Sequence, residues 1–299
     1  MPYTALILNI DGLDADAVEA ACIDAGAISL SYSDQRDDAI LEPAPGEFRL
    51  WPATRIQALF MHDALTPEIL SSLCKKIDCG IHLLELKHIE DRIWEREWLR
   101  DFHPMCFGKR LWIYPTHASV DESGAIVVRL DPGLAFGTGT HPTTRLCLEF
   151  LDARHSSGKL CIDYGCGSGV LAIAALQLGA QHAFAHDIDP QALVATQDNA
   201  LKNNLATKIT LFETAEKLSD AAMQINGADL LLANILSGPL CKLAPQLTNL
   251  LDQDGELVLA GLLTEQVDEV TAAYSPWFKL SIWKSLDGWS CLTGSKNKK

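Results

Sequence analysis

The chain has few positive charges relative to negative ones, no closely paired cysteines and no long apolar runs, and each of these features excludes a class of function. Its 299 residues carry 24 Lys and Arg against 39 Asp and Glu, a formal net charge of −15. This charge repels nucleic-acid phosphates, so we predict no direct contact with nucleic acid. No apolar run is long enough to span a bilayer, which predicts no membrane association. The nine cysteines include no C-x-x-C pair, so we expect reduced thiols, a cytoplasmic location and no bound metal.

The strongest signal is a short apolar run that enters a glycine-rich turn and continues into an apolar helix pattern. The turn reads Asp163-Tyr164-Gly165-Cys166-Gly167-Ser168-Gly169-Val170. A strand, turn and helix of this kind hold a nucleotide at the edge of an open α/β sheet. A dinucleotide fingerprint has a glycine where this chain has Val170. Val170 and the acidic Asp163 disfavour a diphosphate and favour a ligand with a cationic group, such as S-adenosyl-L-methionine. An oxidoreductase that binds a nicotinamide dinucleotide is the alternative that this spacing disfavours.

Two acidic residues follow the next predicted strand. Asp187 lies about twenty residues after the glycine turn, the distance at which a carboxylate accepts hydrogen bonds from ribose hydroxyls. Asp189 precedes Pro190 and is predicted to cap the helix that begins there. The alternative interpretation of Asp187, as a second helix cap, stays open.

Two further segments are predicted to flank the nucleotide site. Residues 131–144 are rich in glycine and threonine and precede an apolar helix, which indicates a lid over a cofactor. His141 within this segment is interpreted as a packing residue and not as a proton acceptor. Asn234 follows a predicted strand, at the sheet edge where ligands bind, and its side-chain oxygen can accept a hydrogen bond from a neutral amine. The alternative for Asn234 is a turn residue that ends the strand.

The pattern of strands and helices predicts two domains joined by a linker. Residues 1–90 follow the order βαββαβ of a ferredoxin-like fold and contain fifteen acidic against six basic residues, as expected of a docking module. Residues 91–103 are predicted to form a helical linker with Trp94 and Trp98 on one face. Residues 104–299 are predicted to form an α/β, Rossmann-like sheet of seven strands, preceded by a hairpin of Arg110–Tyr114 with Ala125–Leu130.

These motifs together resemble the bacterial methyltransferases of large-subunit ribosomal protein eleven. The resemblance rests on the segment from Asp131 to Thr144, the glycine turn, the turn after the second strand and the segment from Ala233 to Pro239, and it covers essentially the whole chain. It implies S-adenosyl-L-methionine as the cofactor. The residues that it assigns to the cofactor are Thr144, Gly165, Asp187 and Asn234, to which we add Asp163, Gly167 and Phe136.

The resemblance also implies the reaction. Members of the family trimethylate the N-terminal α-amine and lysine ε-amines of their ribosomal protein, which the small domain grips. We therefore predict a monomeric protein methyltransferase with a basic protein substrate, in which Asn234 is the catalytic residue. His186 departs from the family, whose members usually have a small or apolar residue there. The alternatives are a lysine methyltransferase with another protein substrate, a methyltransferase of a small molecule, and a non-catalytic ribosome-assembly factor that senses the cofactor.

Overall fold

The computed structural model of the chain describes residues 3–36, 50–89, 103–120, 123–131, 139–154 and 157–297. The chain divides into two compact units, Met1–Trp94 and Glu95–Lys299, and each is treated by itself below. Residues 90–102 of the predicted linker region, with Trp94 and Trp98, lie outside the described residues. The helical linker and the role of each domain therefore stay predictions.

The first unit is a four-stranded antiparallel sheet with two helices. Its elements are β1 (Tyr3–Asn9), α1 (Ala15–Asp24), β2 (Ser29–Asp34), β3 (Thr54–Met61), α2 (Pro67–Lys76) and β4 (Glu85–Ile89). The strands lie in the order β2-β3-β1-β4 and every neighbouring pair is antiparallel, which confirms the predicted ferredoxin-like fold. Asp14 and Thr66 cap the two helices, because their side chains accept hydrogen bonds from first-turn amides.

The second unit is built around a seven-stranded sheet. Its elements are β5 (Met105–Phe107), β6 (Leu111–Tyr114), β7 (Ile126–Arg129), α3 (Pro142–Ala153), β8 (Leu160–Tyr164), α4 (Val170–Gln177), β9 (His182–His186), α5 (Pro190–Lys202), β10 (Ile209–Phe212), α6 (Ala215–Gln224), β11 (Ala228–Asn234), α7 (Ser237–Asn249), β12 (Leu251–Leu263), α8 (Val267–Tyr274), β13 (Phe278–Leu286) and β14 (Trp289–Lys296). The sheet has the order β10-β9-β8-β11-β12-β14-β13. This order confirms the predicted α/β, Rossmann-like fold of seven strands.

The order of the strands reverses between β8 and β11. The strands β10, β9, β8, β11 and β12 are parallel, whereas β14 is antiparallel to both of its neighbours. From β8 the chain continues to β9 and β10 on one side and then crosses to β11 on the other. In an open α/β sheet such a reversal leaves a crevice at the carboxyl ends of the strands, which is where ligands bind.

The predicted hairpin of Arg110–Tyr114 with Ala125–Leu130 is wrong. Strands β6 and β7 pair in parallel, and the antiparallel neighbour of β6 is β5. A parallel pair needs a crossover of about a dozen residues, and residues 115–125 are long enough to provide it. The Arg129 guanidinium donates hydrogen bonds to the carbonyl oxygens of Pro115 (2.8 Å) and Ala118 (2.5 Å), which holds the crossover beside β7.

The helices cover both faces of the seven-stranded sheet. Helices α3, α4 and α5 contribute to one apolar core and helices α6, α7 and α8 to the other. Thr214 caps helix α6 by accepting a hydrogen bond from the Lys217 amide. Within the described ranges, no helix combines the length and the apolar character that crossing a membrane would require.

Candidate active site

A cavity of about 650 Å³ opens at the carboxyl edge of the sheet, where the strand order reverses. Its walls come from the turn after β8, the end of β9, the residues that follow β11 and the first residue of β14. The first residues of α3 close one side. The predicted site residues Gly165, Gly167, Asp187 and Asn234 all line this cavity. The fold therefore brings together three segments that are distant in the sequence: the glycine turn, Asp187 and Asn234.

The glycine turn approaches the segment after β11 too closely for a side chain. Gly165 has a φ of +78°, and a Cβ atom there would lie 2.3 Å from Cγ2 of Ile235. The amides of Gly165 and Cys166 both donate hydrogen bonds to the carbonyl oxygen of His186, at 2.8 and 3.0 Å. The turn is thereby fixed to the end of β9 and leaves its outer surface to the cavity.

Asp187 lies at the cavity wall and already accepts two backbone hydrogen bonds. One carboxylate oxygen accepts from the Gly167 amide and the other from the Asp189 amide, both at 2.9 Å. Each carboxylate oxygen has two acceptor positions, so one position on each oxygen is left for a further donor. Two neighbouring acceptors match the two hydroxyls of a ribose, whose binding by Asp187 stays a prediction. Asp189 caps α5 as predicted, by accepting from the Gln191 amide.

Asn234 is the last residue of β11, and its side-chain amide is oriented by α3. Its Nδ2 donates to the Thr144 hydroxyl at 3.3 Å, which leaves Oδ1 as an acceptor for a group in the cavity. Thr144 itself is buried and is not among the residues that line the cavity, whereas the preceding Thr143 is. Thr144 thus contacts Asn234, and its contact with the cofactor stays a prediction.

Asp163 precedes Tyr164 on β8, so the two side chains point to opposite faces of the sheet. Tyr164 lines the cavity and Asp163 does not. One carboxylate oxygen accepts from the Ala172 amide at 3.0 Å, in the first turn of α4. Gly169, at the N-cap position of α4, has no side chain that could cap the helix, so Asp163 accepts a first-turn amide in its place. The other oxygen of Asp163 is buried and has no hydrogen-bonding partner among the described residues. Burial raises the pKa of Asp163 to about 7, although the Ala172 amide acts in the opposite direction.

Two aromatic residues of the site did not enter the predicted set. The His141 ring packs edge to face against the Trp289 ring, with the centroids 4.9 Å apart, and both residues line the cavity. His141 also caps α3 by accepting from the Thr143 amide at 3.3 Å, in keeping with the packing role predicted for it. Burial lowers the pKa of His141. Phe136, the remaining predicted residue, lies outside the described residues.

The composition of the cavity wall fits a cationic ligand and not a diphosphate. Among the described residues that line the cavity, Asp187 is the only acidic one, and none is Lys or Arg. Most of the remaining wall is apolar, with Ile188 89% exposed at its rim. S-adenosyl-L-methionine combines a sulfonium, a ribose and an apolar base, so these residues fit it. Within the described ranges, His, Cys, Asp and Glu form no group of three that could hold a metal ion.

Comparisons with known proteins agree with this geometry. The family model described as ribosomal protein L11 methyltransferase (PrmA) matches residues 2–297. The chain is 45% identical over 298 residues to the ribosomal protein L11 methyltransferase of Histophilus somni strain 129Pt, with 99% of each chain covered. It is 43% identical over 297 residues to that of Pectobacterium carotovorum subsp. carotovorum strain PC1, again with 99% of each covered.

A solved structure also matches. The crystal structure of a ribosomal protein L11 methylase from Lactobacillus delbrueckii subsp. bulgaricus is similar with a TM-score of 0.58 and 31% identity, covering 66% of this chain and 100% of that one. These matches confirm the resemblance seen in the sequence, and with it the predicted enzyme class, a protein methyltransferase.

Proposed function

Because the chain belongs to the family of ribosomal protein L11 methyltransferases, we propose that it methylates the N-terminal α-amine and lysine ε-amines of ribosomal protein L11. The methyl donor is S-adenosyl-L-methionine. The observation that carries the proposal is the position of Asn234, whose Nδ2 bond to Thr144 leaves Oδ1 as an acceptor and which lines a cavity whose described residues include no Lys or Arg. A ribosomal protein substrate is consistent with a cytoplasmic location and with a monomeric enzyme that needs no contact with nucleic acid.

The cofactor supplies an activated methyl group on a cationic sulfur, and the chain supplies position and environment. Asp187 would hold the ribose, and the glycine turn with Gly165 and Gly167 would lie against the cofactor. Asn234 Oδ1 would accept a hydrogen bond from the substrate amine and direct its lone pair. Methyl transfer is an in-line displacement, so alignment of the amine with the methyl group is the main contribution of the protein.

The amine must be neutral before it can attack. For a lysine with a pKa near 10.4, deprotonation at pH 7 costs roughly 4.6 kcal/mol, and for an α-amine with a pKa near 7.7 it costs about 1 kcal/mol. A mostly apolar wall disfavours the charged amine and lowers its pKa, which offsets part of this cost. Lysine methylation therefore depends more strongly on the apolar wall than methylation of the N-terminus does.

The first unit would hold the substrate. Residues 1–90 contain fifteen acidic and six basic residues, an excess that attracts a basic protein and accelerates its capture. The described part of this unit forms its own antiparallel sheet and its own apolar core, as an independent docking module requires.

The test is transfer of labelled methyl groups from S-adenosyl-L-methionine to purified ribosomal protein L11. The wild type should label the N-terminal residue and lysines, as located by mass spectrometry. At a saturating concentration of S-adenosyl-L-methionine, Asn234→Ala should lose at least tenfold in rate, because the acceptor of the amine hydrogen bond is gone. Asn249→Ala, at the exposed end of α7, is the matched control and should keep the wild-type rate.

Each alternative corresponds to a different outcome. Cofactor binding without transfer to any protein would support a cofactor-sensing assembly factor. Transfer to another protein in place of ribosomal protein L11 would support a different lysine substrate, and transfer to a free amine alone a small-molecule acceptor. Binding of a nicotinamide dinucleotide in preference to S-adenosyl-L-methionine would overturn the proposal.

A further inference from the structure

His186 closes the cavity at the end of β9 and connects three neighbouring segments. Its carbonyl oxygen accepts from the glycine turn, its Nδ1 lies 2.8 Å from the carbonyl oxygen of Phe212 at the end of β10, and the next residue is Asp187. The ring packs edge to face on the Tyr164 ring, with the centroids 4.8 Å apart. The residue is only 2% exposed and lines the cavity.

The hydrogen bond to Phe212 decides which nitrogen of His186 can face a ligand. A carbonyl oxygen can only accept, so Nδ1 must carry the proton of the neutral imidazole. In that tautomer Nε2 is an acceptor. Within the described ranges, Nε2 has no hydrogen-bonding partner in the protein. His186 lines the cavity, and its Nε2 is not among the buried polar atoms that lack a partner, so a donor group of a ligand in the cavity could reach this acceptor.

The chemistry of the cofactor determines which part of it would reach His186. In an adenosyl sulfonium, the sulfur is attached to one end of the ribose and the base to the other. If Asp187 binds the ribose and Asn234 lies beside the transferred methyl group, the base extends away from β11, toward the end of β9. His186, Tyr164 and the exposed Ile188 line this end of the cavity. The donor that adenine offers along its edge is its exocyclic amino group.

We propose that His186 is a specificity-determining residue for the base of the methyl donor, whose Nε2 accepts a hydrogen bond from the 6-amino group of adenine. This inference rests on the proposed function and adds a base-recognition role to the same site. A 6-oxo base would present an acceptor to the acceptor Nε2, so the site would discriminate against it. The 6-oxo base would lose the hydrogen bond to Nε2 and would place its own oxygen opposite this acceptor. The affinity should therefore fall by about tenfold or more.

Two substitutions separate recognition of the base from support of the strand. In His186→Asn the side-chain NH₂ can still donate to the Phe212 carbonyl, but no atom occupies the position of Nε2. In His186→Gln the side-chain oxygen reaches the position of Nε2, but the donor to Phe212 is displaced. If His186 only supports the strand, His186→Asn should behave like the wild type. If His186 recognises the base, His186→Gln should behave like the wild type and His186→Asn should not.

The experiment measures binding of S-adenosyl-L-homocysteine and of S-inosyl-L-homocysteine by calorimetry, with the full chain. The wild type should prefer the adenosyl compound by about tenfold or more, His186→Asn should reduce this ratio toward one, and His186→Gln should retain most of it. A wild-type ratio kept by His186→Asn, or a wild type without preference, would overturn the inference. Failure of the wild type to bind either compound would instead overturn the proposed function on which the inference rests.

Discussion

The buried carboxyl group of Asp163 should make the stability of the second unit depend on pH, and Asp163→Asn should remove that dependence. The side chain is 1% exposed, and one of its oxygens accepts from the Ala172 amide while the other lacks a partner among the described residues. Asparagine has the same shape as the protonated acid. It keeps an acceptor for Ala172 and places an NH₂ group where the protonated acid has its OH.

The magnitude follows from the pKa of Asp163, which burial raises from 3.8 to about 7. Below pH 3.8 the group is protonated in both the folded and the unfolded chain, so it contributes no pH dependence. Between pH 3.8 and 7 only the unfolded chain ionises, which lowers the free energy of unfolding by ~1.4 kcal/mol per pH unit. The accumulated penalty is about 2 kcal/mol at pH 5 and roughly 4 kcal/mol at pH 8.

Urea unfolding at pH 5 and pH 8, followed by circular dichroism, measures this effect. The stability of Asp163→Asn relative to the wild type should rise by about 2–3 kcal/mol between the two pH values. Asp189→Asn is the control, because it changes an exposed helix cap to an equally good one and should show no such rise. A difference between Asp163→Asn and wild type that is the same at both pH values would refute the reasoning.

The remaining predictions concern the glycine turn and the crossover before the main sheet. Gly165→Ala should destabilise the protein more than Gly288→Ala in thermal unfolding. Both glycines have a positive φ, which costs about 1–2 kcal/mol for alanine, but only the Cβ at position 165 also clashes with Ile235. Gly165→Ala should also weaken binding of S-adenosyl-L-homocysteine in calorimetry, whereas unchanged affinity would show that the clash is relieved without moving the site. Arg129→Met should lower the free energy of urea unfolding by about 2 kcal/mol, because carbonyl groups of the crossover lose a charged donor, and an unchanged midpoint would contradict this.

Features that depend on neighbouring residues could be predicted from the sequence. The cap Asp189 forms as expected because it accepts a hydrogen bond from the Gln191 amide two residues later in the chain. The caps Asp14 and Thr66 are equally local, and so is the turn at Asp287 and Gly288, whose φ values of 49° and 80° match a tight hairpin turn. The alternation of strands and helices predicted a seven-stranded Rossmann-like sheet, which is confirmed.

Features that depend on distant residues could not be predicted. The parallel pairing of β6 and β7 is accompanied by hydrogen bonds from Arg129 to carbonyl groups more than ten residues earlier, which no local pattern shows. Trp289 reaches the cavity because β14 pairs with β12 near the middle of the sheet, 148 residues after His141, against which it packs. The hydrogen bond between Thr144 and Asn234, which are 90 residues apart, and the position of Thr143 at the cavity also depend on tertiary structure and left no signal in the sequence.

The hydrogen bonds of the acidic residues give a physical reason why this site disfavours a diphosphate. In nucleotide-binding turns of this type, free amides of the turn and of the following helix bind the phosphates. In this chain the Gly167 amide donates to Asp187 and the Ala172 amide donates to Asp163. The carboxylates of the protein therefore already occupy these donor positions, and a phosphate would have to displace them. A ligand with a ribose but with a sulfonium in place of the diphosphate needs no such displacement, and it gains from the negative charge that Asp187 presents to the cavity.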